Sequence, residues 1–345
     1  MAKSKSVESG LGSLKNAISS GEIGNLYIFH GEERYLLEFY IGQIKKKLLD
    51  EGTAEFNYKK INGKTATVSE ISQAVDALPV FAERTLIEID DFDIFKSSDS
   101  AKNELLELFS DVPEYACVIF VYDTVEFKPD GRVKINQNLK KLFTVVEFES
   151  QDQNDLINWI SRRFRALGKI IDRHTADYMI FVCGSLMTKL ITEIEKTAAY
   201  SREKEITKED IDAVVIPQID AVTYKMTNAV VAGKYGEALD ILSDLFAQGE
   251  PPHKIIYSVS LRIRQMYSAW VCIEKGRGLS DLMDMLNLKN DYQARSLMKD
   301  AKYAGEQWCR KSMELCAEAA LKLNSSSFEN DDILVQLIID MALAK

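Results

Sequence analysis

Histidine is scarce in this chain: three residues, at 30, 174 and 253, among 345. They stand too far apart for metal-ligand spacing, and His253 follows two prolines at a helix start, where a surface position is expected. No Ser/His/Asp or Cys/His pattern offers nucleophilic catalysis. The five cysteines (117, 183, 272, 309 and 316) lie singly, with no C-x-x-C. That excludes metal knuckles and redox dithiols, and leaves reduced, buried thiols as the expectation. Cys309 and Cys316 share a helical face, where a core role outweighs a ligand role. Long apolar runs are missing too. The longest, Ala116 to Tyr122, falls far short of the ~20 residues a membrane-spanning helix needs. The polar start, Met1 to Glu8, lacks the apolar core of a signal segment. Together these absences predict a soluble, cytoplasmic protein with no membrane contact, no metal and no other cofactor.

The net charge is -10 and 46% of residues are hydrophobic, which fits an ordinary globular protein. The length allows two or three domains, each with its own core. No region is broadly basic. Tight binding to DNA by the free chain is therefore not expected, because phosphate neutralisation dominates such affinity.

The chain is organised around Leu26-Tyr27-Ile28-Phe29-His30-Gly31-Glu32-Glu33-Arg34-Tyr35-Leu36-Leu37. A short apolar run stops at a glycine, and Leu36, Phe39, Tyr40, Ile44 and Leu48 then follow helical spacing. This is the opening strand, turn and helix of an α/β nucleotide-binding unit. A phosphate-gripping turn needs G-x-x-x-x-G-K-[ST]. Here the turn offers one glycine, two glutamates and no Lys-Ser/Thr, so the fold resembles a P-loop fold without its chemistry.

Taken in order, Leu11, Leu14 and Ile18 predict a first helix. Phe56 to Ile61 alternates as a strand closed by Asn62-Gly63. Val68 to Ala77 has helical spacing that Pro79 interrupts. Leu86 to Ile89 and the continuous run Cys117 to Tyr122 read as strands, the latter buried on both faces of a parallel sheet. Val145, Val146 and Phe148 give a last strand. The strand signal then disappears, and helical periodicities broken at Gly168 and Gly184 fill residues 150–215. Ile216-Pro217 forms the next boundary, and helices run from there to the end, one opening at Pro251-Pro252. The fold class is α/β followed by all-α, with domains at 1–149, 150–215 and 216–345.

Candidate chemistry is thin. Ile87-Glu88-Ile89-Asp90-Asp91 superficially resembles a Walker B strand that positions magnesium, but without a P-loop it reads as a strand end with solvated acids. Arg162, Arg163, Arg165, Lys169 and Arg173 form the one basic cluster, either a solvated helix face or a local phosphate contact. Ala77-Leu78-Pro79-Val80-Phe81-Ala82-Glu83-Arg84 places apolar side chains beside a helix-breaking proline, where turn residues usually gather. Phe81 either caps the domain core or belongs to an exposed tip that docks in a partner's pocket.

These pieces together resemble the delta subunits of the bacterial DNA polymerase III clamp loader. The carrying residues are Asn25 to Glu33 with Tyr35-Leu36, then Leu78-Pro79-Val80-Phe81-Ala82-Glu83-Arg84-Thr85-Leu86. Asp130-Gly131-Arg132, Gly249-Glu250-Pro251-Pro252 and Arg262-Ile263-Arg264 follow in the same order. The resemblance implies an AAA+-like module, with a parallel-sheet domain and a small helical lid but no ATP chemistry, followed by a helical collar. Such subunits join a five-member ring with ATP-hydrolysing and delta-prime-like subunits as part of the DNA polymerase III holoenzyme. They bind the sliding clamp and open it for placement on primed DNA. The family's clamp contact falls here on Val80 and Phe81, flanked by Leu78. A well-known member carries Leu-Phe at this point, so Val80 is the shorter residue. Phosphate contact with DNA would fall on Arg162, Arg163, Arg165 and Lys169. No activity is expected of the isolated chain. Two other readings stay open: an NTPase with a divergent phosphate loop, and a helical scaffold with a decayed α/β domain.

Overall fold

The computed structural model describes residues 10–288, 291–325 and 330–344. The chain divides into two compact units, Met1–Ser150 and Gln151–Lys345.

In the first unit α1 (Gly10–Ser20) precedes β1 (Leu26–His30), α2 (Arg34–Leu48), α3 (Ala54–Asn57), β2 (Tyr58–Asn62), α4 (Val68–Asp76) and β3 (Thr85–Asp90). After these come α5 (Asp99–Ser110), β4 (Ala116–Tyr122), α6 (Lys134–Leu142) and β5 (Thr144–Glu147). The strands form one sheet in the order β2-β3-β4-β1-β5, every neighbouring pair parallel. Successive side chains of a strand point to opposite faces, so the sheet builds two cores. Leu26, Ile28, Val118 and Phe120 pack with Ile71, Leu105 and Leu139 on one side. Tyr27, Phe29, Cys117 and Ile119 pack with Leu14, Leu37 and Ile44 on the other. β4 lies mid-sheet under both layers and is buried throughout, as its uninterrupted apolar run predicts.

Two local expectations shift. The buried stripe of α2 is Leu37, Ile41 and Ile44, with Leu36, Tyr40 and Leu48 half-buried beside it, while Phe39 is exposed. The second strand begins at Tyr58, because Phe56 and Asn57 belong to the single turn α3. Since every strand runs the same way, the segments entering the strands share one edge of the sheet and those leaving share the other. Residues 77–84 therefore lie at the amino edge, and the Gly31 turn at the carboxyl edge.

The second unit holds α7 (Gln153–Ala166), β6 (Ile170–Ile171), α8 (Arg173–Cys183), α9 (Met187–Tyr200), β7 (Glu205–Ile206) and α10 (Lys208–Val214). Next come α11 (Ile219–Val231), α12 (Tyr235–Ala247), α13 (Pro252–Glu274), α14 (Leu279–Leu286), α15 (Asp291–Ser325) and α16 (Asn330–Leu343). β6 and β7 pair over two residues each, too briefly to register as alternation in a sequence expected to be free of strands. α12 ends at Gly249, whose φ is +74°, and α13 opens on Pro252 as its sequence predicts. A core of Met226, Leu242, Ile263, Leu297, Trp308 and Leu337 holds α11–α16 together. Inside it Arg262 donates to Asp300 at 2.5 Å and stacks over Tyr224. The Tyr292 amide donates to the buried Asp177 at 2.8 Å, tying α8 to the start of α15. All five cysteines are buried free thiols. Among the described residues no helix is long and apolar enough to cross a membrane, and no group of three His, Cys, Asp or Glu is placed to hold a metal ion.

Candidate functional site

At the carboxyl edge, the Gly31 turn lies flat against the chain leaving β5. The Glu33 amide donates to the Phe148 carbonyl at 3.0 Å, and the Phe148 amide donates to that of His30 at 2.8 Å. The Arg34 amide donates to Glu32 at 3.2 Å. Gly31 has φ +128°, and a Cβ there would sit 2.3 Å from the Phe148 carbonyl oxygen. The Glu33 and Arg34 amides are thus already spent on the protein itself rather than left for a phosphate. The first side chain of the helix, Arg34, pairs with Glu38 at 2.8 Å and with Asp123.

Of the acids at the end of β3, Glu88 and Asp91 are buried rather than solvated, contrary to the sequence reading, and Asp90 is half-buried. Glu88 is buried, accepting from the Tyr58 hydroxyl at 2.7 Å and from Lys60 at 2.5 Å. Asp90 pairs with the same ammonium at 2.9 Å. Asp91 is also buried, in the left-handed region at φ +56°. Its Oδ1 accepts the amides of Asp123, Thr124 and Val125, and its Oδ2 accepts the Thr124 hydroxyl at 2.6 Å. Burial alone would raise its pKa, but these donors outweigh burial and hold the carboxyl well below the usual carboxylate range. These carboxylates brace the loops at this edge. The physical reason is the parallel register, which places Glu88 and Asp90 beside Lys60 of the neighbouring strand.

The opposite edge carries the unusual surface. α4 stops at Asp76, since Pro79 disfavours helix in the residue before it and donates no amide itself. In the loop that follows, Leu78 is 73% exposed, Val80 41% and Phe81 92%. Phe81 therefore does not cap the domain core. Phe81 adopts φ +52°, a conformation that costs a bulky residue about 1–3 kcal/mol and persists only where surroundings impose it.

The surroundings here are three anchors. The Tyr115 hydroxyl donates to the Asp76 carbonyl at 3.1 Å where the loop begins. Midway, the Asn57 carboxamide accepts from the Val80 amide at 2.7 Å and donates to its carbonyl at 2.9 Å. At the exit the Arg84 guanidinium donates to the carbonyls of Ile23 at 2.5 Å and Gly24 at 3.2 Å. Of the three, only Arg84 lay in a stretch the sequence singled out. Asn57 sits inside an apparently alternating strand, and Tyr115 precedes a buried run; neither position carries a local signal for a bond made 23 or 39 residues away.

The basic cluster separates. Lys169 donates to the carbonyls of Ser201 at 2.7 Å and Glu203 at 2.6 Å, clasping the turn before β7. Half-buried Arg163 stacks on Trp159, and Arg173 donates to Asn154 at 2.5 Å. Arg162 and Arg165 are exposed on α7.

Similarity to known proteins follows this layout. The family model described as "DNA polymerase III, delta subunit" matches residues 27–149, and that described as "DNA polymerase III delta subunit, C-terminal domain" matches residues 220–341. The chain is 21% identical over 329 residues to "DNA polymerase III subunit delta" of Bacillus subtilis (strain 168), covering 94% of each. It is 22% identical over 275 residues to "Probable DNA polymerase III subunit delta" of Aquifex aeolicus (strain VF5), covering 77% of each. The solved Bacillus subtilis DNA clamp loader delta protein shares the fold, with a TM-score of 0.50 at 19% identity over 96% of this chain and 99% of that one. A parallel-sheet unit with a spent phosphate turn and a helical unit, each matched in turn by the two halves of one family, lead to one assignment: the chain belongs to the DNA polymerase III delta subunit family.

Proposed function

We propose that this chain is the non-catalytic, clamp-opening subunit of a clamp loader, which binds the sliding clamp and opens it for placement on primed DNA. The observation that carries this reading is the tip: Phe81 stands 92% exposed on a loop held at three points. Burying such a side chain in a partner's pocket yields roughly 1.5–3 kcal/mol. A pre-formed loop loses little entropy on docking, so most of that gain reaches the affinity. Leu78 and Val80 flank Phe81 in the contact, and the family supplies the clamp as the partner.

The closed phosphate turn makes this an ATP-silent member of the ring. Energy comes from ATP-hydrolysing neighbours, with a delta-prime-like subunit completing the five-member assembly. Residues 1–149 carry the tip, 150–215 act as a small lid, and 216–345 form the collar through which the subunit assembles. Within the loader, Arg162 and Arg165 are the cations of the basic cluster left open to DNA phosphates, since Lys169 is engaged by carbonyls, Arg163 by Trp159 and Arg173 by Asn154. The subunit works in the cytoplasm, where primed DNA is replicated. The rival reading as an NTPase is disfavoured by the Glu33 amide, which the Phe148 carbonyl already occupies.

The test is Phe81→Ala in the full chain, read by clamp affinity and thermal melting. Truncating a central aromatic anchor costs about 2 kcal/mol or more, so affinity should fall about thirtyfold with melting nearly unchanged. Wild-type affinity in that variant would remove the tip from the clamp contact.

A further inference from the structure

We propose that Asn57 is the positioning residue of this tip and sets the conformation in which Phe81 meets the clamp; the inference rests on the clamp reading above. Asn57 is 2% exposed, so it does not face a partner, yet its carboxamide is fully engaged. Oδ1 accepts from the Val80 amide at 2.7 Å, while Nδ2 donates to the Val80 carbonyl at 2.9 Å and to the Thr53 carbonyl at 2.9 Å. One side chain thus matches both polar groups of Val80, as a neighbouring strand would.

The next residue is Phe81, at φ +52°. Its own side chain cannot impose that conformation, because at 92% exposure it packs against almost nothing. The constraint therefore reaches it through the backbone on either side. Downstream it comes from Arg84, held to Ile23 and Gly24; immediately upstream it comes from Asn57. The chemistry is specific. A carboxamide supplies a donor and an acceptor together, a carboxylate supplies acceptors only, and an aliphatic side chain supplies neither. Removing Asn57 frees the Val80 peptide groups, and Phe81 is released to the extended conformations its backbone prefers.

A double-mutant cycle in the full-length chain tests this. Clamp affinity, melting temperature and hydrogen exchange at the Val80 amide are measured for Asn57→Ala, Phe81→Ala and the pair. Asn57→Ala should speed exchange at Val80 and weaken clamp binding by roughly tenfold, the order expected when a hydrogen-bonded support is lost. In the Phe81→Ala background the same change should cost almost nothing further, because the side chain it positions is gone. Asn57→Asp, which keeps the acceptor for the Val80 amide but turns a carboxylate oxygen toward the Val80 and Thr53 carbonyls, should bind no better than Asn57→Ala. Leu139→Ala serves as the stability control: it hollows the core at α6 and should lower melting with clamp affinity intact.

If Asn57→Ala leaves Val80 exchange or clamp affinity at the wild-type level, the positioning role is overturned and the clamp reading stands. An equal loss in both backgrounds overturns it likewise, since it would show a structural effect independent of Phe81. If Phe81→Ala itself leaves affinity unchanged, the clamp reading falls and takes the positioning role with it.

Discussion

The two edges of the first unit's sheet make opposite use of the same topology. At the carboxyl edge, where open α/β sheets ordinarily bind ligands, several polar groups pair with one another. Glu33 donates to Phe148, Asp91 gathers three amides, and Lys60 joins Glu88 to Asp90. At the amino edge, a loop with no catalytic group is held by side-chain hydrogen bonds while its apolar side chains face water. One sheet thus closes its polar turn at one edge and leaves an apolar loop in water at the other. Satisfied polar groups stiffen the closed edge, and apolar surface left in water creates the drive to bind at the other.

The largest effect is expected of Gly31→Ala. Its Cβ would meet the Phe148 carbonyl oxygen at 2.3 Å, with φ at +128°. A strained backbone and overpacking together should cost about 2–6 kcal/mol of stability. Chemical denaturation reads that loss, while the fraction still folded should bind the clamp normally. A mild effect on stability would mean that the turn is looser than its packing implies.

Phe81→Gly probes the other edge with the opposite signature. Clamp binding should fall by about 2 kcal/mol or more, yet melting should hold or rise slightly, because glycine takes φ +52° without strain. A variant that loses clamp binding and melting together would place Phe81 in the core after all.

Asp91→Asn keeps a residue tolerant of the left-handed region and removes the charge that the three amides and Thr124 satisfy. It should cost about 1.5–3 kcal/mol at neutral pH. The folded pKa of Asp91 is lowered, so its contribution is fully present above the unfolded value of about 4 and is lost as pH falls from there toward the folded value. Wild-type stability should therefore decline below about pH 4 more steeply than that of Asp91→Asn, as followed by melting across an acid series.

The smallest effect is expected of Arg34→Ala. The side chain is 55% exposed in its pair with Glu38, and exposed pairs are worth about 0–1 kcal/mol. Removing it clears one charge from the helix start but leaves the Glu33 amide bonded to Phe148. Calorimetry should show no specific ATP binding by the wild type or by this variant. Micromolar binding that required Gly31 would reopen the carboxyl edge as a nucleotide site.

What could be read along the chain was whatever a short window carries. Apolar periodicity named most strands and helices, because burial on one or two faces repeats every two or about four residues. The turn at Gly31 declared its lack of lysine, and Pro79 beside Leu78, Val80 and Phe81 declared a non-helical apolar loop. Only the tertiary structure decided which way that loop faces, since a Phe beside a proline is equally compatible with a core and with a tip. It also decided that Glu88 and Asp91 brace loops, that Lys169 clasps Ser201 and Glu203, and that Asn57 holds Val80. Each of those contacts joins residues more than twenty positions apart, brought together by parallel strand register or by loops gathered at one edge. Such a bond leaves no trace in local composition, because its partner is chosen by the fold and not by the neighbouring residues.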